Sequence, residues 1–124
     1  MIVLDASALL AFLLRETGHD VVAAQLPQSC MSTVNLAETL SRMAPGIDPR
    51  SLKPRLDQTG LRFIDFDSAQ AVVVSELRLQ MRMAGLGIAD CCCLALGLHL
   101  ALPVLTADRH WATLGLGLTV QLIR

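Results

Sequence analysis

Four acidic residues stand apart in this apolar chain: Asp5, Glu38, Asp90 and Asp108. Two of them directly follow short apolar runs, and the other two lie near the start of predicted helices. Carboxylates that gather without basic partners repel one another, and a pair about 5 Å apart costs roughly 3 kcal/mol at an effective dielectric of about 20. Convergence of the four would therefore imply a divalent metal site, because a cation offsets this repulsion.

Each acid also has an ordinary structural alternative. Asp5, Asp90 and Asp108 could cap the helices or turns that follow them. Glu38 lies four residues before Arg42, a spacing typical of an exposed ion pair worth about 0.3–0.5 kcal/mol. Asp90 would lie on the buried side of its helix, where a carboxylate needs compensation. No acid is decisive alone, so the function depends on whether all four meet.

Short apolar runs alternate with helical segments along the chain. Strands are predicted at 2–5, 29–32, 61–66, 104–106 and 119–123. Helices are predicted at 8–14, at 18–26 and at 33–43, the last with Thr33 as its cap. Further helices are predicted after Asp48-Pro49, with Asp48 as the cap and Pro49 at the first helical position, from 67 or 68 to about 83, at 89–101 and as a turn around Trp111. This order predicts an α/β fold with a mostly parallel sheet covered on both faces. Ligands of such sheets bind beyond the carboxyl ends of the strands, where Asp5 and Asp108 lie.

The bulk composition is that of a packed globular chain. Its 124 residues suit a single domain, with 53% hydrophobic and 17% charged residues. The mean hydropathy of +0.54 is high, which suggests that a partner or a second copy covers part of the surface. The longest apolar stretch is interrupted by Asp90, His99 and Pro103, so we expect no membrane span. No secretory signal is apparent, and we expect a cytoplasmic protein. The net charge of −1 neither supports nor excludes a nucleic-acid substrate.

Three consecutive cysteines, Cys91, Cys92 and Cys93, suggest zinc at first sight. Consecutive helical residues point roughly 100° apart, so these side chains cannot close on one ion, and their spacing matches no zinc motif. We predict that they are small buried side chains in a reducing compartment.

The four acidic segments, taken in order, resemble those of the PIN-domain nucleases, and most of all the VapC-type toxins of toxin–antitoxin pairs. The segments are Asp5-Ala6-Ser7-Ala8, Asn35-Leu36-Ala37-Glu38, Gly87-Ile88-Ala89-Asp90 and Leu105-Thr106-Ala107-Asp108, the last followed by Trp111. The resemblance covers essentially the whole chain. It departs from the family pattern at the three cysteines after Asp90 and at Trp111, where Phe is more common.

This resemblance implies a single PIN domain over residues 1–124, folded as a three-layer α/β/α sandwich and usually homodimeric. It assigns Asp5, Glu38, Asp90 and Asp108 to an acidic centre for Mg²⁺ or Mn²⁺, with Ser7 and Thr106 as supporting hydroxyls. The implied activity is metal-dependent cleavage of RNA, blocked by a cognate antitoxin that often pushes an Arg into the acidic pocket.

We therefore hypothesise that Asp5, Asp90 and Asp108 hold the first cation, while Glu38 orients the attacking water or helps to bind a second ion. Arg15, Arg82 and Arg109 flank the acidic segments and could steer a backbone phosphate, although solvated surface arginines are the simpler interpretation. A PIN-fold module that binds protein or RNA without cutting it is the alternative function. A phosphoacceptor domain ranks last, because Lys53 does not follow a suitable strand.

Overall fold

The computed structural model describes residues 1–82 and 84–124. Within these residues, a central sheet has five strands in the order β3-β2-β1-β4-β5. The strands are β1 (Ile2–Leu4), β2 (Ser29–Ser32), β3 (Arg62–Ile64), β4 (Val104–Thr106) and β5 (Val120–Leu122). Every pairing between neighbouring strands is parallel. The carboxyl ends of all five strands therefore lie at one edge of the sheet.

In the described residues, six α-helices connect and cover these strands. They are α1 (Ala6–Leu13), α2 (His19–Gln25), α3 (Thr33–Met43), α4 (Pro49–Asp57), α5 (Ser68–Gln80) and α6 (Ile88–Leu100). Two 3-10 segments, Leu26–Gln28 and Arg109–Thr113, complete the described elements. The predicted alternation of strands and helices is confirmed.

Two hydrophobic clusters lie on opposite faces of the sheet. Along β1, Ile2 and Leu4 face the cluster that contains α1, α2 and α4, whereas Val3 faces the cluster that contains α5 and α6. This alternation follows from the two-residue period of a strand. A sheet buried on both faces gives three layers, so the predicted α/β/α sandwich is confirmed.

The cysteines of α6 belong to the second cluster. Cys91, Cys92 and Cys93 are all buried and unpaired, as is Cys30 on β2. Burial raises the pKa of the Cys93 thiol well above its ordinary value. The prediction that these residues are small buried side chains is confirmed.

Several predicted element boundaries need correction. The helix predicted to reach about Met83 ends at Gln80, and Met83 itself lies outside the described residues. Ser32, rather than Thr33, caps α3 by accepting a hydrogen bond from the Val34 N–H. Asp48 caps α4 as predicted, with Pro49 at the first helical position. In the described part of the chain, none of the helices has the length and apolarity needed to cross a bilayer.

Candidate active site

The four predicted acids line one cavity of about 180 Å³ at the carboxyl edge of the sheet. We call it the acidic cavity; its lining is Asp5, Ala6, Ser7, Leu10, Glu38, Arg42, Asp90 and Asp108. Asp5 follows β1 and Asp108 follows β4, and these two strands are parallel neighbours in the sheet. The pairing of β1 with β4 is therefore what brings residues 103 positions apart in sequence to the same place.

Asp5 is the most enclosed of the four acids, with 5% of its surface exposed. Its Oδ2 accepts hydrogen bonds from Ser7 Oγ at 2.6 Å and from Thr106 Oγ1 at 2.9 Å. Asp5 occupies the position before α1 but makes no side-chain cap bond. The interpretation of Asp5 as a side-chain cap of α1 is therefore wrong, and its carboxylate instead lines the acidic cavity.

The environment of Asp5 disfavours its charged form. Burial raises the pKa of this carboxyl from 3.8 to about 6, and the charges of Asp90 and Glu38 act in the same direction. The hydrogen bonds from Ser7 and Thr106 lower the pKa but do not compensate for the burial. Burial is thus the main cause of the raised pKa of Asp5, and the neighbouring carboxylates add to it.

Two hydroxyl groups connect the start of α1 to the end of β4. Ser7 Oγ accepts a hydrogen bond from the Ala107 N–H at 3.0 Å and lies 3.2 Å from Thr106 Oγ1. Thr106 Oγ1 accepts from the Asp108 N–H at 3.0 Å, so the same hydroxyl contacts both Asp5 and the backbone of Asp108. The structure brings Ser7 and Thr106 to the acids that they were predicted to support.

Asp90 and Asp108 each use one oxygen locally. Asp90 Oδ2 accepts from the Gly87 N–H at 3.1 Å, and Asp108 Oδ1 accepts from the His110 N–H at 3.0 Å. Asp108 thus caps the Arg109–Thr113 segment, as its structural alternative predicted, whereas Asp90 lies in the first turn of α6 and bonds back to Gly87, the cap residue of that helix. Both contacts are present together with the cavity. Among the described residues, no hydrogen bond uses the second oxygen of either carboxylate, and the same is true of Asp5 Oδ1. Each aspartate therefore has one anchored oxygen and one oxygen free for a ligand.

Glu38 lies in the middle of α3 and contacts Arg42 one turn later. The closest atoms, Glu38 Oε2 and Arg42 Nη2, are 3.5 Å apart, and the side chains are 27% and 65% exposed. The ion pair that formed the alternative interpretation of Glu38 thus exists, but both partners line the acidic cavity.

Asn35 is a site neighbour that the sequence did not single out. It is fully buried, and its Nδ2 donates to the carbonyl oxygen of Ala89 at 3.0 Å. This bond joins α3, which carries Glu38, to the first turn of α6, which carries Asp90. Asn35 Oδ1 has no partner among the described residues. The one signal in the sequence was its position three residues before Glu38, on the same side of the helix.

The predicted phosphate-steering arginines do not line the acidic cavity. Arg82 lines a separate cavity of about 420 Å³ together with Arg78, and Arg15 and Arg109 are exposed. Their steering role stays a prediction. Arg42 is the basic residue of the acidic cavity.

The cavity fits a hard divalent cation by chemistry but not by a preformed ligand shell. Its candidate donors are carboxylate oxygens, which suit Mg²⁺ and Mn²⁺. In residues 1–82 and 84–124, however, no three acidic, histidine or cysteine side chains are close enough together to hold a metal ion. We attribute this separation to the local hydrogen bonds of Asp90 and Asp108 and to repulsion among the acids. Within the described residues, each aspartate keeps one carboxylate oxygen without a hydrogen bond, and all three line the same cavity.

The PIN-domain family model matches residues 2–115 of this sequence. The chain belongs to the PIN-domain family. Among curated proteins, none is similar enough in sequence to match. Solved structures share the fold of this PIN domain at low identity. A toxin–antitoxin complex from Klebsiella pneumoniae contains a chain with 17% identity and a TM-score of 0.82, covering 100% of this chain and 98% of that one.

Two further structures show the same fold. One is FitAcB from Neisseria gonorrhoeae, with 23% identity and a TM-score of 0.73, covering 98% of this PIN domain and 96% of that chain. The other is VapBC2 from Rickettsia felis bound to a DNA fragment from its promoter, with 18% identity, a TM-score of 0.74 and 98% coverage of both chains. These likenesses establish a shared architecture.

Proposed function

We propose that this PIN domain is a Mg²⁺- or Mn²⁺-dependent endoribonuclease that acts as the toxin of a toxin–antitoxin pair. Family membership supports nuclease activity in general. Structures of similar fold come from toxin–antitoxin complexes, which supports the toxin role. The observation that carries the proposal is the meeting of Asp5, Glu38, Asp90 and Asp108 in one cavity.

Asp5, Asp90 and Asp108 would hold the cation through the oxygens that the protein leaves free. When bound, a divalent cation makes a water molecule more acidic and neutralises charge that develops on the phosphoryl oxygens. Ser7 and Thr106 hold Asp5 Oδ2 by hydrogen bonds and would leave the opposite oxygen for the cation. The raised pKa of Asp5 matters here, because this carboxyl must lose its proton to act as a ligand.

Glu38 would orient the attacking water, or help to bind a second ion, from its place in the lining of the cavity. Water adds to phosphorus, the bond from phosphorus to the leaving ribose oxygen breaks, and that oxygen takes up a proton. No covalent enzyme intermediate is needed. The Ser7 hydroxyl is already engaged with Asp5, which is consistent with water as the nucleophile.

The partners of the proposed toxin are an RNA substrate and a cognate antitoxin. An antitoxin arginine in the acidic cavity would supply the positive charge that a cation otherwise provides. We also infer that residues 1–124 form one domain, that it works in the cytoplasm and that it forms a homodimer. Exposed apolar side chains on α5, Val72 at 59% and Leu79 at 73%, support a covered face. The four free cysteines suit a reducing compartment.

A PIN-fold module that binds protein or RNA without cutting it is the second candidate. One observation favours it: within the described residues, no three acidic, histidine or cysteine side chains already lie close enough together to hold a metal ion. Four acids facing one cavity speak against it, because a module without catalysis gains nothing from their repulsion.

Cleavage of RNA by the purified chain separates the two candidates. We expect cleavage with Mg²⁺ or Mn²⁺, loss of cleavage with EDTA, and loss of cleavage in Asp108→Asn. The matched control is Asp65→Asn, because Asp65 is exposed and its side chain makes none of the described hydrogen bonds or ion pairs. Cleavage that persists in EDTA would contradict the metal-dependent mechanism. Intact RNA after prolonged incubation with antitoxin-free protein would favour the binding module.

A further inference from the structure

The acidic cavity must accept a polyanion if it cleaves RNA. Four carboxylates line it, and each would repel a backbone phosphate. A cation offsets part of this charge at the scissile phosphate, but the neighbouring phosphates also have to approach the cavity wall. Arg42 is the one basic side chain in the described lining of the cavity.

The guanidinium of Arg42 is only loosely engaged. It lies 3.5 Å from Glu38 Oε2, which is longer than the 2.7–2.9 Å of a strong charged hydrogen bond. The Arg42 side chain is 65% exposed, so solvent screens and weakens this ion pair. In the part of the chain that the structure describes, the Arg42 side chain makes no other ion pair or hydrogen bond. Its donors are therefore available to a stronger acceptor.

Arg42 also stands between the acidic cavity and a second cavity of about 300 Å³. Ser7 and Leu10 line both cavities as well, so the two are contiguous. The second cavity contains another arginine, Arg124, but its guanidinium already donates to the Thr17 carbonyl at 2.9 Å and lies 3.7 Å from Glu16. Of the two arginines, Arg42 has the weaker contacts within the chain, and it lies at the boundary between the two cavities.

We propose that Arg42 binds a phosphate of the RNA backbone adjacent to the scissile one. This inference rests on the proposed function and extends it to a substrate subsite. Arg42 exchanges Glu38 for the phosphate, whose oxygens match the planar guanidinium and accept two hydrogen bonds. The exchange also frees Glu38 for the attacking water. Binding of the RNA phosphate by Arg42 therefore breaks the ion pair between Arg42 and Glu38 in the same step.

The test compares Arg42→Gln and Arg42→Lys with Arg50→Gln. Arg50 is an exposed arginine on α4 outside the acidic cavity, so its replacement changes the net charge equally. The probe is a fluorescein-labelled 12-nucleotide single-stranded RNA of mixed sequence. Its dissociation constant is measured in Ca²⁺ at several NaCl concentrations, and a gel confirms that it stays intact. Binding of Mn²⁺ is measured separately from the electron paramagnetic resonance signal of the free ion.

We expect Arg42→Gln to weaken RNA binding about tenfold and to reduce the salt dependence by about 0.7 in the slope of log K against log salt. Arg42→Lys should keep the slope but lose part of the affinity, since an ammonium group cannot make the bidentate contact. Binding of Mn²⁺ should be unchanged or tighter in Arg42→Gln, because a positive charge leaves the cavity. Arg50→Gln should alter RNA binding less than twofold.

Weaker RNA binding without weaker Mn²⁺ binding distinguishes a phosphate contact from a structural role. Equal RNA affinity and salt slope in Arg42→Gln and Arg50→Gln would overturn the inference while leaving the proposed function intact. Tighter RNA binding by Arg42→Gln would also overturn it, because Arg42 would then obstruct the cavity. Absence of any RNA binding by the wild-type chain would instead overturn the proposed function itself.

Discussion

Replacing Asp5 by asparagine should stabilise the metal-free protein at neutral pH. Burial raises the pKa of Asp5 from 3.8 to about 6. Because the folded pKa is the higher one, the unfolded chain loses this proton first, and the free energy of unfolding falls as the pH rises from about 4 to about 6. The interval between the two pKa values corresponds to about 3 kcal/mol, and Asp5 is only 5% exposed, so little of this is lost to solvent screening. The full penalty applies above pH 6.

Asparagine removes the charge and keeps a carbonyl oxygen for Ser7 and Thr106. We expect the free energy of unfolding of Asp5→Asn in EDTA to exceed that of the wild type by about 1–3 kcal/mol at pH 7.5. At pH 4, where folded Asp5 is protonated, the two proteins should be nearly equal. Urea unfolding followed by far-ultraviolet circular dichroism at both pH values measures this difference. The exposed Asp65→Asn serves as the matched control and should show no such pH dependence.

The stability difference between Asp5→Asn and the wild type should depend on pH, and this dependence is the test. A loss of stability in Asp5→Asn of the same size at pH 4 and at pH 7.5 would show that Asp5 acts as a structural hydrogen-bond acceptor. The electrostatic account of the cavity would then be wrong. Addition of Mn²⁺ provides a further check, since it should stabilise the wild type at pH 7.5 and have little effect on Asp5→Asn.

Three further substitutions test the rest of the site. Thr106→Val should lower the free energy of unfolding by about 1–3 kcal/mol, because Asp5 and a backbone N–H lose a buried partner; urea unfolding that matches the wild type would contradict this. Asn35→Leu should weaken Mn²⁺ binding several-fold, because it removes the hydrogen bond that joins α3 to α6. The control Thr39→Val removes a buried hydrogen bond within α3 alone and should leave Mn²⁺ binding unchanged. Equal Mn²⁺ affinities of the two variants would contradict this prediction. Glu38→Gln should slow RNA cleavage while retaining Mn²⁺ binding, and wild-type rates would exclude Glu38 from the site.

The sheet and its acidic edge could be predicted because they depend on local pattern. Apolar runs that alternate with helices specify parallel strands, and the carboxyl ends of such strands meet. The strand pattern alone predicts that Asp5 and Asp108 lie close together, and the parallel pairing of β1 with β4 confirms this. The resemblance added Glu38 and Asp90, which lie on helices whose rotation about their own axes no local pattern specifies.

The features that the sequence did not reveal depend on packing between distant segments. Thr33 looked like the cap of α3, but its hydroxyl accepts a hydrogen bond from the Phe66 N–H, beyond β3, and Ser32 caps instead. Asn35 acts across 54 residues, and neither its burial nor its contact with Ala89 follows from its neighbours in sequence. Arg42 was recognised as the partner of Glu38, but its place in the acidic cavity depends on how α3 packs against α1.

Crystals grown with Mn²⁺ would test the central claim most directly, through the anomalous scattering of the ion. We predict an anomalous peak in the acidic cavity, about 2.1 Å from carboxylate oxygens of Asp5, Asp90 and Asp108. The Asp90 and Asp108 oxygens that accept hydrogen bonds from the Gly87 and His110 N–H groups should keep those bonds. The absence of a peak in the cavity at saturating Mn²⁺, with the acids still held apart, would contradict the account.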